Sequence, residues 1–156
     1  MDDEVPSEIP GCEKYLEFVA HNGWMSRTRF LDRHTTPYVV LTPETGEGLP
    51  YFLYKVAKRK GANTTPAITV GRADTNDIIV TDPGVSRIHA AFFPRRGGWT
   101  IADASASGTW VNGEKIKEKT HRILGASSRL QFGPALHASF LVPEKLFELV
   151  AKTLPR

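Results

Sequence analysis

The stretch that decides the fold runs from Gly71 to Gly113: GRADTNDIIV TDPGVSRIHA AFFPRRGGWT IADASASGTW VNG. Three polar clusters interrupt its apolar runs. The first is Gly71-Arg72, the second Ser86-Arg87-Ile88-His89, and the third Ser107-Gly108-Thr109-Trp110-Val111-Asn112-Gly113. Each sits where a strand-like run ends or is about to begin. The runs themselves, Asp77 to Thr81, Ile88 to Phe93, Trp99 to Ala102 and Thr109 to Val111, are short and rich in β-branched and aromatic residues. Turn chemistry separates them: Asp82-Pro83-Gly84, Arg96-Gly97-Gly98 and Asn112-Gly113. Many short strands at this spacing predict an all-β sandwich. Asn112-Gly113 predicts a two-residue hairpin turn.

The same pattern extends outward. Tyr38 to Thr42, Tyr51 to Ala57 and Ala67 to Val70 precede the stretch, and Arg129 to Phe132 and Ala138 to Val142 follow it. This divides the chain into a helical extension or connector over residues 1–36, a sandwich over 37–142 and a C-terminal helix over 143–156. In the extension, Ser7 and Pro10 are positioned to open a helix, Ile9, Cys12, Leu16 and Val19 fall near helical spacing, and Gly23 is a stop. Residues 22–36 are expected to form a connector. Pro143 suits a first helical position and Glu144 the positive end of the helix dipole.

The bulk numbers bound the function. A chain of 156 residues is long enough to bury a core without disulfides or metal. Twenty Lys and Arg against 17 Asp and Glu leave +3, too little for a nucleic-acid-scale field. No apolar run approaches a membrane span, and no secretory leader is expected. The single cysteine, Cys12, points to a reducing, cytoplasmic setting. No metal-ligand spacing, phosphate-binding Walker loop or nucleophile elbow occurs, so neither cofactor nor enzyme is expected.

The clusters nevertheless carry chemistry. A phosphate monoester is gripped by a bidentate guanidinium, hydroxyl donors and backbone N–H groups in a concave array. Arg72 offers the fork, Ser86 a hydroxyl and Arg87 a second guanidinium. Ser107, Gly108 and Thr109 form a third loop at the same candidate end. This layout binds a phosphate without a nucleophile–base set to cut it.

Gly71-Arg72, Ser86-x-x-His89, Ser105-x-Ser107-Gly108-Thr109 and Asn112-Gly113 resemble the signature of the forkhead-associated (FHA) domain. Asn76-Asp77-Ile78-Ile79-Val80 and Asp103 fit the same pattern. The resemblance covers about two thirds of the chain, roughly residues 37–142. It implies a β-sandwich of about eleven strands that recognises phosphothreonine in partner proteins. By the same resemblance Arg72 and Ser86 contact the phosphate, and Arg87 falls where many members carry a second basic contact. His89 braces the binding loop, and Asn112 and Gly113 hold the recognition loops. Ser107 departs from the pattern, since the family usually places there an Asn that bonds the ligand backbone. Losing one such bond costs about 0.5–1.5 kcal/mol.

Plainer readings stand beside these. Arg87 equally suits a solvated flank, Ser86 a turn or cap, and His89 a satisfied structural histidine. Lys55, Lys58, Arg59 and Lys60 read as a solvated hairpin end, and Lys115, Lys117 and Lys119 as an exposed strand face. The leading expectation is a phosphothreonine-peptide adaptor downstream of a Ser/Thr kinase, with no nucleic-acid or membrane partner. The alternative is a phospho-independent interaction or assembly module. A third reading is self-association through Thr35-Thr36-Pro37 or Thr64-Thr65-Pro66 once phosphorylated.

Overall fold

The computed structural model describes residues 9–45 and 48–154. Ser7, one of the two expected helix openers, lies outside them. Among the described residues, twelve strands form two sheets: β1 Cys12–Lys14, β2 Tyr38–Thr42, β3 Phe52–Lys55, β4 Ile68–Gly71, β5 Ile78–Ile79, β6 Ala90–Arg95, β7 Gly98–Asp103, β8 Thr109–Val111, β9 Glu114–Lys115, β10 Arg122–Leu124, β11 Ser127–Phe132 and β12 Leu136–Leu141. A seven-stranded sheet runs β1-β3-β2-β12-β11-β8-β9 and a five-stranded sheet β10-β7-β6-β4-β5. All pairings are antiparallel except β4 with β5. The expected sandwich is therefore present. Its extra strand, β1, comes from the segment ahead of Pro37 and pairs with β3.

Strand β2 shows why these residues fold this way. Its sequence YVVLT is almost continuously buried, which one polar-faced sheet would not require. Alternation sends Val39 and Leu41 into the core between the sheets, beside Phe92, Ile101, Phe132 and Phe140. It sends Tyr38 and Val40 to the opposite face. There three helices cover the sheet: α1 Tyr15–Asn22, α2 Arg27–Arg33 and α3 Pro143–Thr153. Their Tyr15, Phe18, Phe30, Leu146 and Val150 form a second core with Leu53 and Leu141. Tyr15, Phe18, Val19 and Asn22 lie on one stripe of α1, the spacing a surface helix needs to bury one face.

The N-terminal segment departs from the sequence reading in two ways. The expected helix starts at Tyr15, because Cys12 to Lys14 is captured by the free edge of β3. The expected connector contains α2, capped by Ser26, whose Oγ accepts the N–H of Arg29 at 3.2 Å. Phe30, fully buried, anchors it edge-on to Phe18 and Phe147. A buried polar ladder joins these pieces. Asn22 Oδ1 accepts His34 Nε2–H at 2.9 Å, and His34 Nδ1 accepts the Tyr38 hydroxyl at 3.2 Å.

Candidate functional site

The three polar clusters meet at one end of the sandwich, laced together by backbone bonds. Strand β4 delivers Gly71 and Arg72, and the loop before β6 delivers Ser86 to His89. Arg72 N–H donates to Ser86 C=O and Ala73 N–H to Arg87 C=O, each at 3.0 Å. Two loops far apart in sequence thereby become neighbours. Gly71 permits this approach, since a Cβ there would stand 2.3 Å from the Arg87 carbonyl oxygen. Asn76, buried, closes the turn by donating to Ala73 C=O at 2.8 Å and to Arg87 C=O at 2.7 Å.

Arg72 is exposed but not loose. Its Nε donates to the Val85 carbonyl at 3.0 Å, and its terminal nitrogens make no hydrogen bond or ion pair among the described residues. Ser86 is set with equal economy. Its Oγ accepts the Ala106 N–H at 3.1 Å, so its hydroxyl proton remains available to an acceptor outside. That same bond ties the third loop to the second. Arg87 is exposed, and its guanidinium makes no hydrogen bond or ion pair among the described residues. Ser107 donates to Gly84 C=O at 3.3 Å, a long bond on an exposed loop.

His89 lies beneath these loops, fully buried. Ser86 N–H donates to its Nδ1 at 3.0 Å. Nδ1 is therefore the acceptor, the proton sits on Nε2, and Nε2 donates to Gly108 C=O at 2.8 Å. The neutral ring thus bridges the second and third loops. Burial holds its pKa below the usual histidine value, although the Gly108 bond and the Asp103 charge pull the other way. With both nitrogens occupied, His89 has no lone pair to take a proton from Ser86, and the two do not form a nucleophile–base pair.

Thr109 stands under the third loop, fully buried, with its hydroxyl donating to Asp103 Oδ1 at 2.7 Å. Asp103 also accepts the Ser105 hydroxyl at 2.6 Å, and Ser105 Oγ accepts Gly108 N–H at 2.7 Å. Ala106 and Ser107, together with Ala104, are the exposed residues of that loop. Asn112 and Gly113, both with positive φ (51° and 86°), form the expected two-residue turn between β8 and β9. Asn112 Oδ1 accepts Arg129 N–H at 2.8 Å, fixing the hairpin against β11.

One pair of basic residues behaves differently from its sequence reading. Lys58 and Arg59 are not a solvated hairpin end. Lys58 Nζ bonds Asp77 Oδ2 at 2.7 Å, Asn63 Oδ1 at 2.7 Å and Ala67 C=O at 2.8 Å. Arg59 N–H donates to Asp77 Oδ1 at 2.8 Å, while its guanidinium holds the Asp74 and Asn76 carbonyls. Together they clamp the loop that follows Arg72. Burial raises the Asp77 pKa, but the Lys58 ammonium, the Arg59 and Thr69 N–H groups and the Asn63 amide outweigh it and leave the carboxyl below its usual range. Lys115 lies over the Trp110 ring at 5.7 Å, with its chain against Gly108. Sequence spacing carried no signal for the contacts of Lys58 and Arg59 with residues 74–77, because those partners lie 15 to 19 positions on.

Comparison with known proteins follows the same outline. Residues 68–133 match the family model of the FHA domain. Among curated proteins, 64 residues are 33% identical to zebrafish (Danio rerio) nibrin, covering 41% of this chain and 8% of that protein. Over 97 residues the chain is 32% identical to the oxoglutarate dehydrogenase inhibitor of Corynebacterium diphtheriae, covering 60% of this chain and 64% of that protein. The chain thus spans a small fraction of the first relative and under two thirds of the second. Among solved structures, the N-terminal FHA domain of Saccharomyces cerevisiae Rad53p in complex with a phosphothreonine peptide superposes with a TM-score of 0.54 at 18% identity, covering 72% of this chain and 98% of that one. An engineered FHA domain with a Myc-pTBD peptide gives a TM-score of 0.54 at 20% identity, covering 74% and 97%. Two sheets, three signature loops converged at one end and a family model matched across those loops give the sandwich of this chain the FHA fold.

Proposed function

We propose that this chain binds phosphothreonine in partner proteins through Arg72, Ser86 and Arg87. One observation carries the reading: the donors of two loops are fixed side by side before any ligand arrives. Arg72 is aimed by its Nε bond to Val85, and Ser86 is aimed by accepting the Ala106 N–H. Preorganised donors bind an oxyanion without the entropy loss of ordering themselves first. The FHA domains of known structure that hold phosphothreonine peptides support the assignment.

Charge-assisted bonds of this kind contribute about 1.5–3 kcal/mol each. Three of them at the upper end of that range reach the roughly 8 kcal/mol of a micromolar affinity, suited to reversible signalling. Ser107 supplies a shorter group than the Asn usual there, and its hydroxyl is turned to Gly84, so specificity for flanking residues rests on other contacts. The domain acts by binding, not turnover, downstream of a Ser/Thr kinase in the cytoplasm. No helix among the described residues is long and apolar enough to cross a membrane, and none of their acidic, His and Cys side chains cluster as a metal site.

Titration of a phosphothreonine peptide library against wild type and Arg72→Ala tests the reading. Wild type is expected to bind phosphorylated peptides only, and Arg72→Ala to lose roughly tenfold or more, the equivalent of one charge-assisted bond. Equal binding by both proteins would remove the pocket assignment.

A further inference from the structure

The clamp on the loop after Arg72 has an exposed end. The chain contains three Thr-Pro pairs beyond the binding motifs, Thr36-Pro37, Thr42-Pro43 and Thr65-Pro66. The fold treats them differently, with Thr42 and Pro43 half-buried at the end of β2. Thr36 Oγ1 is buried and Pro37 is buried with it. Thr65 and Pro66 are exposed in the irregular loop between β3 and β4.

The Thr65 hydroxyl is not an idle surface group. It donates to Asn63 Oδ1 at 2.8 Å, and Asn63 Oδ1 also accepts Lys58 Nζ at 2.7 Å. Hydroxyl and ammonium therefore converge on one acceptor, and both also reach the Ala67 carbonyl. Lys58 is the ammonium that pairs with buried Asp77. Asp77 in turn accepts the N–H groups of Arg59 and Thr69. The Asn63 amide donates to Thr75 C=O at 2.8 Å. Thr65 is thus one shared acceptor away from the clamp on residues 73–77.

We propose that Thr65 is a phosphorylation site for a proline-directed Ser/Thr kinase, and that its phosphate loosens the loop carrying Arg72. The hydroxyl oxygen of Thr65 attacks the γ-phosphorus of a nucleoside triphosphate. A P–O bond forms there, the bond to the β-phosphate oxygen breaks, the nucleoside diphosphate leaves, and the hydroxyl proton passes to the kinase base. The product has lost the O–H that Asn63 accepted. It carries a near-dianion with three acceptor oxygens beside Lys58. An ammonium shared between an exposed dianion and a buried carboxylate spends less time on the carboxylate. Asp77 then keeps its N–H, amide and Thr69 hydroxyl donors but less of the ammonium, and the turn from Ala73 to Asp77 opens more often. The consequence for ligand affinity rests on the phosphothreonine-binding reading; the modification and the loosening do not.

The test incubates the whole chain with Mg-ATP and a purified proline-directed kinase, beside Thr65→Ala. Peptide mapping by mass spectrometry is expected to place one phosphate on Thr65 and none on Thr36 or Thr42, with that site empty in Thr65→Ala. Hydrogen exchange is expected to quicken at the amides of Arg59, Thr69 and residues 73–77 in the phosphorylated protein. Phosphothreonine-peptide affinity is expected to fall roughly fivefold, or about 1 kcal/mol. No incorporation at Thr65, or incorporation with unchanged exchange at those amides, overturns the proposal. Quickened exchange with equal peptide affinity in both states overturns the link to Arg72. A protein that binds no phosphopeptide in either state defeats the binding reading instead, while exchange still decides the modification.

Discussion

At the scale of single residues, the site depends on groups whose value lies in what they allow others to do. Gly71→Ala places a methyl 2.3 Å from the Arg87 carbonyl oxygen, and that oxygen is fixed by Ala73 and Asn76. The backbone must give, parting the first loop from the second. We expect a stability loss of about 1–3 kcal/mol, the range for a strained close approach, with phosphopeptide binding abolished. Thermal unfolding and peptide titration check the two halves separately. His89 gives a prediction in pH. Only its neutral ring accepts from Ser86 while donating to Gly108. Its folded pKa is lowered, so the unfolded chain binds the proton more readily. The stabilisation is present above the unfolded value, near ~6.5, and is lost as pH falls below it. Ligand protonation near ~6 weakens binding in the same direction. Ligand-free measurements separate the two: the unfolding midpoint should fall from pH 7 to pH 5 without peptide, and the His89 ring resonances should titrate below those of an exposed histidine. Arg72, Ser86 and His89 were legible in the sequence because each belongs to a compact motif beside a strand end. Lys58 was not, since a lysine in a run of bases looks the same whether it points to solvent or to an aspartate 19 positions on.

At the scale of elements, short strands are positioned by turns and clamps more than by their own length. The β8–β9 hairpin is read directly from Asn112-Gly113, because positive φ at both positions is a local demand. Gly113 faces open space, with nothing within 4 Å of the point where a Cβ would stand, so Gly113→Ala isolates the backbone term. It should cost about 1–2 kcal/mol, and denaturant unfolding with unchanged slope would confirm it. The clamp between the β3–β4 loop and Asp77 is the opposite case. Its members are Lys58, Arg59, Asn63 and Thr69, and no local pattern links them. Asp77→Ala leaves an ammonium and several N–H groups without their acceptor. The expected loss is about 1–3 kcal/mol, with weaker phosphopeptide binding as residues 73–77 loosen. Binding unchanged at full occupancy of the folded state would show that Arg72 does not rely on the clamp. Strand β1 and helix α2 escaped the sequence reading for a related reason. Three residues paired to a sheet edge, and a helix with a single fully buried side chain, are made by their neighbours rather than by periodicity.

At the scale of the whole molecule, one sheet serves two cores, and the two have separable duties. The face of β2, β3 and β12 turned to the five-stranded sheet lies in the core between the sheets, with Val39, Leu41, Tyr54 and Phe140. The other face, with Tyr38, Val40, Leu53 and Leu141, is covered by α1, α2 and α3. The helices are cross-tied, since the Tyr15 hydroxyl donates to Thr153 Oγ1 at 2.8 Å and Thr153 donates to Leu149 C=O. Leu146 is fully buried in this second core. Leu146→Ala removes its contacts and leaves a cavity, at a cost of about 2–5 kcal/mol. None of Arg72, Ser86, His89 or their direct hydrogen-bond partners belongs to that core. The variant should therefore unfold at markedly lower temperature or denaturant concentration. Below its transition, it should bind a phosphothreonine peptide with wild-type affinity. Lowered affinity in the fully folded variant would show that the helical layer acts on the binding loops through the shared sheet. Equal affinity with reduced stability would establish that layer as a separate support.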